Sequence, residues 1–318
     1  MRSLSRSGVV RHARKRPTTK AFVRLLVSRA AGGPGTPEGD VAHHQRDWRA
    51  DPTRRHEYRE TSLVRGRLIW LVSAILAVAV WALTAPASAQ TSTVSSTGGD
   101  VVVAGAGTIQ AGDVPASFSQ TSAGSSQKGP RPKASSSSYA AAKTIPGCKN
   151  FIDAVITPKA VTATATGPTL TDQQQGSQVS SAVEVFAAAT QAKKNFALLT
   201  QSSLAICLSK YFKFTVGHSI EQQSGTLKST KVTATVTPHQ VPPVGDQTID
   251  YQVRVDVGPV RSSGATLTVR VYDDWQFVRV SRALTFYSFL GTGQPLDSVQ
   301  QPAVTAAVDR LTQALTPA

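Results

Sequence analysis

The stretch TIDYQVRVDVG, Thr248–Gly258, decides the fold class. Tyr251, Val253, Val255 and Val257 alternate with Gln252, Arg254 and Asp256. In a strand that period of two places every apolar side chain on one face and every polar one on the other. Similar strand signals lie on both sides of it, in KFTVGHSI and TLKSTKVTATVTPH before it and in ATLTVRVYDD and QFVRVSRALTFYSFL after it. GPVRSSG and GTGQPLD supply the turns between them.

Further toward the N-terminus, SQVSSAVEVF (177–186) reads as another strand, and the period then changes. Ala189, Ala192, Phe196, Leu199, Ser203 and Ile206 recur at threes and fours, which predicts one helix over 187–210 with Cys207 in its last turn. At the other end Val304, Val308, Leu311 and Leu315 form a stripe that predicts a closing helix, with Pro302 in its first turn and Asp309 and Arg310 facing water or the edge. A strand, a helix, a run of strands and a closing helix make an α+β domain, expected to be an antiparallel sheet with helices packed on one face. Its expected extent is 143–318.

Ahead of that domain the composition changes twice. Residues 90–142 are dominated by Ser, Thr, Gly and Ala and predict a disordered linker, although VVVAGAGTIQAG could pair as a strand. From Leu68 to Leu83 no charge interrupts an apolar run, and Arg65 and Arg67 flank it. Pro86 and Ala87-Ser88-Ala89 follow, as a cleavable export signal requires. Residues 67–89 are therefore either a signal peptide cut near Ala89 or a single transmembrane helix, and a true start at Val64 would make the first complete. Either reading places the C-terminal domain outside the cytoplasm, secreted or held at the cell membrane.

Residues 1–66 form the basic, disordered cytoplasmic segment of this scheme. Up to Arg67 the chain carries 16 Lys or Arg against 6 Asp or Glu, which accounts for +10 of the net charge of +15. That charge sits where the positive-inside rule puts it, so it argues for membrane topology and against a nucleic-acid partner.

Both cysteines, Cys148 and Cys207, lie in the exported domain and predict a disulfide. With no CxxC pair, and only His218 and His239 in the domain, the sequence predicts no metal and no cofactor. A hydrolytic triad would have to use one of those histidines, and neither lies near a GxSxG elbow, so both are expected to be solvated loop residues. Ser125 and Lys128 match S-x-x-K spacing but fall in the expected linker. Adjacent Asp273 and Asp274 point to opposite sides of a strand or turn and are expected to be turn residues that share neither metal nor proton. The aromatic residues Trp275, Phe277, Phe286, Tyr287 and Phe289 fill core positions, with a ligand cleft between sheet and helices as the alternative.

Three segments together, SSAVEVFAAATQAKKNFALLT…CLSKYF, VGDQTIDYQVRVDV and WQFVRVSRALTFYSF, resemble the PknH-like extracytoplasmic sensor domains of actinobacteria over about Cys148 to Leu315. The chain lacks a second cysteine pair, has Ser281 where those domains often place glycine, and has no glycine-rich loop or HRD motif for a kinase. The resemblance implies a free-standing sensor domain, a non-enzymatic module engaging an unknown envelope ligand or protein. The alternative is an envelope hydrolase whose site carries no local motif.

Overall fold

A computed structural model describes residues 99–131, 143–145, 148, 160–223, 231–262 and 265–316. The elements in chain order are helix α1 (Gly99–Ala106), strands β1 (Ser119–Ser122), β2 (Ser125–Lys128), β3 (Val161–Thr166), β4 (Thr169–Asp172) and β5 (Ser177–Phe186), helices α2 (Ala189–Leu199) and α3 (Ser203–Gln223), strands β6 (Lys231–His239), β7 (Gln247–Ser262), β8 (Ala265–Val280) and β9 (Ala283–Thr292), and helix α4 (Asp297–Leu315). A short 3-10 turn spans Ala111–Asp113.

All nine strands join one antiparallel sheet in the order β1-β4-β5-β9-β8-β7-β6, with β3 also on β5 and β2 on β3. Strands β3 and β4 share one edge of β5, since β3 pairs with Ala182–Phe186 and β4 with Ser177–Val179. At the break between them the Gly167 N–H donates to the Ser181 carbonyl at 2.9 Å. A Cβ on Gly167 would lie 2.3 Å from Ser181 Oγ and would displace the hydroxyl that accepts from the Ile109 N–H.

The expected α+β class and antiparallel sheet are present, with helices on both faces instead of one. Neighbouring apolar residues explain why: Val185 and Phe186, Phe277 and Val278, and Phe289 and Leu290 are consecutive on their strands, so both faces of the central strands must be covered. Helices α2 and α3 cover Phe186, Val253, Val255, Trp275 and Leu290. Helices α1 and α4 cover Val179, Val183, Val278, Tyr287 and Phe289. On β7 the alternation read from the sequence holds, with Tyr251, Val253, Val255 and Val257 buried and Arg254 exposed.

Two expected elements change type. The single helix over 187–210 is two helices broken after Leu199, and KFTVGHSI continues α3 instead of forming a strand. Leu204, Leu208, Tyr211, Phe212, Thr215, Val216 and Ile220 repeat at threes and fours and are buried, a helical stripe that outweighs the strand propensity of Phe, Thr and Val. The break rotates Ile206 out of the expected buried face, to 60% exposure. Ile206→Ala is therefore expected to change stability by no more than about 0.5 kcal/mol in urea denaturation. A core-sized loss would restore the single-helix reading.

Cys148 and Cys207 are bonded, with Cα atoms 5.1 Å apart. Since α3 starts at Ser203, the bond ties the chain ahead of β3 to the beginning of that helix, whereas the sequence reading placed Cys207 at a helix end. Both cysteines are buried in the core under α2 and α3.

The linker expected over 90–142 is overturned for residues 99–131. VVVAGA is helix, Val103, Ala104, Ile109 and Val114 belong to the second core, and β1 and β2 extend the sheet. Glycine and alanine let this segment approach closely: a Cβ on Gly107 would lie 3.1 Å from Leu311 Cδ2 and from Val183 Cγ2. Ion pairs lock it further. Arg282 holds Asp100 at 2.6 Å, and Arg310 holds Asp113 through both guanidinium nitrogens at 2.6 and 2.7 Å while donating to the Thr108 carbonyl at 2.9 Å. Arg310 therefore serves as an inward clamp, and only Asp309 faces water as expected.

Helix α4 buries Val304, Val308 and Leu311 as its stripe requires, with Leu315 partly covered. It begins at Asp297, so Pro302 lies in the second turn and not the first. Ser281, in the turn joining β8 to β9, has φ 50, a left-handed conformation in which glycine is favoured. The basic segment, the apolar segment 67–89 and residues 90–98 lie outside the described residues. Among those described, no helix is long and apolar enough to cross a membrane.

Candidate functional site

Strand register gathers a polar cluster on the α1/α4 side of the sheet. His239 of β6 pairs with Asp250 of β7, and Asp250 with Gln276 of β8. One step along, Gln252 pairs with Asp274. Because residues two apart on a strand share a face, Asp250 and Gln252 lie beside Asp274 and Gln276, opposite the apolar row of Tyr251 and Val253. Helix α4 closes the cluster from above with Gln300, whose placement follows from the same stripe that buries Val304 and Val308.

His239 Nδ1 lies 2.8 Å from Asp250 Oδ2. Gln300 Nε2 donates to Asp250 Oδ1 at 3.1 Å and to Gln276 Oε1 at 3.1 Å. Asp274 differs from both. It is fully buried at 0% exposure, and among the described residues neither of its carboxylate oxygens has a hydrogen-bond partner. The Gln252 side chain lies near enough to favour the charged form of Asp274, and Gln276 Nε2 is also unsatisfied. One donor atom each from His239, Asp250 and Asp274 fit within 4.8 Å of one another.

Burial dominates the electrostatics. It pushes the Asp274 carboxyl up to about 7, helped by the neighbouring Asp250 charge and opposed by Gln252. Burial also raises Asp250, with His239 and Gln300 acting against it. Leaving a buried carboxylate without partners is costly, so this site either holds a proton or awaits a positive charge.

Asp273 points the other way, into the α2/α3 core. There Trp275 Nε1 and Ser288 Oγ both donate to it at 2.8 Å, and burial pushes it up to about 7. The two aspartates do face opposite sides, as expected, but both sit mid-strand and buried instead of in a turn. Asp273 is a satisfied core carboxyl, whereas Asp274 is not.

The other sequence candidates separate. Trp275, Phe277 and Phe286 pack together, with Trp275 5.1 Å from Phe286 in an edge-to-face contact, while Tyr287 and Phe289 lie across the sheet in the second core. No single cleft is lined by all five. Tyr287 donates through its hydroxyl to the Gly107 carbonyl at 3.0 Å. His218 lies on α3, its ring stacked on Phe214 at 5.9 Å, and His239 ends β6, so neither is the loop residue expected. Ser125 and Lys128 are exposed on β2, where a separation of three points them to opposite faces. Among the described residues no serine or threonine hydroxyl bonds His239.

Sequence reasoning missed Asp250, Gln276 and Gln300 altogether. A signal was available. Asp250 and Gln252 on one strand, and Asp274 and Gln276 on the next, are polar pairs at a spacing of two, and hairpin register brings them face to face.

No family model matches this chain, and no curated protein matches it. The crystal structure of the extracellular domain of PknH from Mycobacterium tuberculosis is similar to it at a TM-score of 0.29 and 13% identity, covering 62% of this chain and 81% of that one. A likeness of that size carries no argument about the site.

Proposed function

We propose that the chain is an extracytoplasmic binding module, with no catalytic step of its own, that takes its ligand at the His239–Asp250–Asp274 cluster. The observation that carries this reading is the unpartnered, fully buried Asp274 carboxylate. It is a recognition group left unsatisfied inside a buried polar cluster. The buried Cys148–Cys207 disulfide supports an oxidising compartment, and the apolar run with its basic flank at 67–89 supports export, as a signal peptide or a membrane anchor.

One observation favours the envelope hydrolase: the His239–Asp250 pair has the geometry of a base and its orienting carboxylate. Among the described residues no serine or threonine hydroxyl is hydrogen-bonded to His239 to serve as the third member. The two readings separate in a binding assay with the low-molecular-weight fraction of the cell envelope. A binding module shows a saturable rise in melting midpoint, and the bound compounds are recovered unchanged by mass spectrometry. Consumption of an extract component that is lost in His239→Ala would establish the hydrolase and overturn our reading.

A further inference from the structure

We infer that His239, Asp250 and Asp274 form a site for a divalent first-row cation of the Zn2+ type, bound through His239 Nδ1 and one oxygen from each carboxylate. The inference rests on the binding-module reading and names the ligand for the same cluster.

Charge, ligand chemistry and geometry each support it. Two carboxylates with a neutral imidazole present a charge of minus two, matching a divalent ion. Mixed nitrogen and oxygen donors suit zinc and its neighbours, whereas magnesium and calcium favour oxygen alone. Donor atoms around a tetrahedral ion at about 2.1 Å lie about 3.4 Å apart, so a set already within 4.8 Å closes on one by small side-chain rotations. Among the described residues this is the one such group of histidine, cysteine and carboxylate donors.

The surroundings match as well. A ligand carboxylate is usually oriented by an outer hydrogen bond, and Gln300 Nε2 supplies one to Asp250 Oδ1 at 3.1 Å. Gln276 in turn accepts from the same amide, which fixes its direction. The His239 side chain is 33% exposed and marks the route by which an ion would enter, while Asp274 at 0% forms the floor. The unsatisfied Asp274 oxygens then have a purpose, because a cation would complete them. Three protein ligands leave a fourth position open toward His239, where a water or an anionic ligand could join the ion.

The test uses the full chain, purified in mild detergent without a metal-binding tag and stripped with chelator, and titrates it with ZnCl2, MnCl2 or MgCl2 alone. Zinc is expected to bind one per chain, ahead of manganese, with magnesium weakest. At 100-fold over its dissociation constant it should raise the melting midpoint by about 5 °C or more. Asp274→Asn keeps the shape and removes the charge, and His239→Ala removes a side chain that is one-third exposed, so both should fold. Each should weaken zinc by more than the about 10–100-fold typical of losing an outer-shell partner.

Zinc affinity unchanged in both variants, or no zinc binding by the unaltered chain, overturns the inference. So does an Asp274→Asn chain that is merely more stable with or without zinc, which would make Asp274 a buried proton carrier only. Failure here leaves the binding-module reading standing if envelope compounds still bind unchanged. A zinc-loaded chain that consumes such a compound would keep the metal and remove the binding-module reading.

Discussion

A chain shortened to begin at Thr144 is expected to lose cooperative folding. The cut removes Val103, Ala104, Ile109 and Val114 from the core beneath α1 and α4, and burying one large aliphatic side chain contributes about 1.5–3 kcal/mol. It also takes Asp113 from Arg310 and Asp100 from Arg282, stranding two half-buried guanidinium groups, and it leaves the Tyr287 hydroxyl without the Gly107 carbonyl. The outer edges of β3 and β4, now covered by β2 and β1, would be bare backbone. Together these losses are comparable with the whole stability of a domain, about 5–15 kcal/mol. Circular dichroism melts of chains starting at Gly99 and at Thr144 make the comparison. A sigmoidal transition at the same midpoint in the shorter chain would show that residues 99–131 are an appendage.

Opening the Cys148–Cys207 bond is the second large effect expected. The bond closes a loop of 59 residues, which restricts the unfolded chain by about 4 kcal/mol on the loop-entropy account. That corresponds to a midpoint lower by roughly 8–16 °C for a domain of this size. Because both sulfurs are buried, a reductant acts only as the domain opens, so the loss should develop slowly in the cold and quickly on warming. Calorimetry of the Cys148→Ser, Cys207→Ser double variant measures the same quantity without reductant. An unchanged midpoint would mean that the unfolded chain is already compact around that loop.

How much of this could be read from the sequence differs by element. Tyr251, Val253, Val255 and Val257 gave their strand away because the opposite face of β7 is wet around Arg254, so burial and alternation coincide there. The stripe Val304, Val308 and Leu311 marked α4 for the same reason. Where an element is apolar on several sides, or made of residues with the opposite propensity, the signal failed. VVVAGA looked like strand or linker because valine disfavours helices, and only the burial of Val103 and Ala104 in the second core, with Gly107 close against Val183 and Leu311, explains the helix α1. Phe214, Thr215 and Val216 misled in the same way within α3.

The candidate site was less legible than the fold. His239 and Asp250 are separated by 11 residues and a proline-rich turn, and their contact depends on the register of β6 on β7. Asp274 was singled out, but for its neighbour Asp273, from which the sheet separates it. What sets it apart is what it lacks, and a missing hydrogen bond leaves no trace in a list of residues. Tertiary register creates the cluster, and no local motif encodes it.

The clamps on the first helix also bear on how the chain becomes folded. Asp100 finds Arg282 182 residues later, Gly107 meets Tyr287 at a separation of 180, and the Ala106 carbonyl accepts from Arg310 at a separation of 204. A chain emerging N-terminus first therefore delivers α1 long before the strands and helix that receive it. Until β9 and α4 have been made, Val103 and Ile109 lack most of the core they enter, and the central strand β5 waits for β9 across about a hundred residues. Such distant pairings belong to slow-folding topologies, with times of milliseconds to seconds once the chain is whole. Helix α4 follows every other described element and secures α1, which precedes them, so assembly of the described region ends by joining its two extremities.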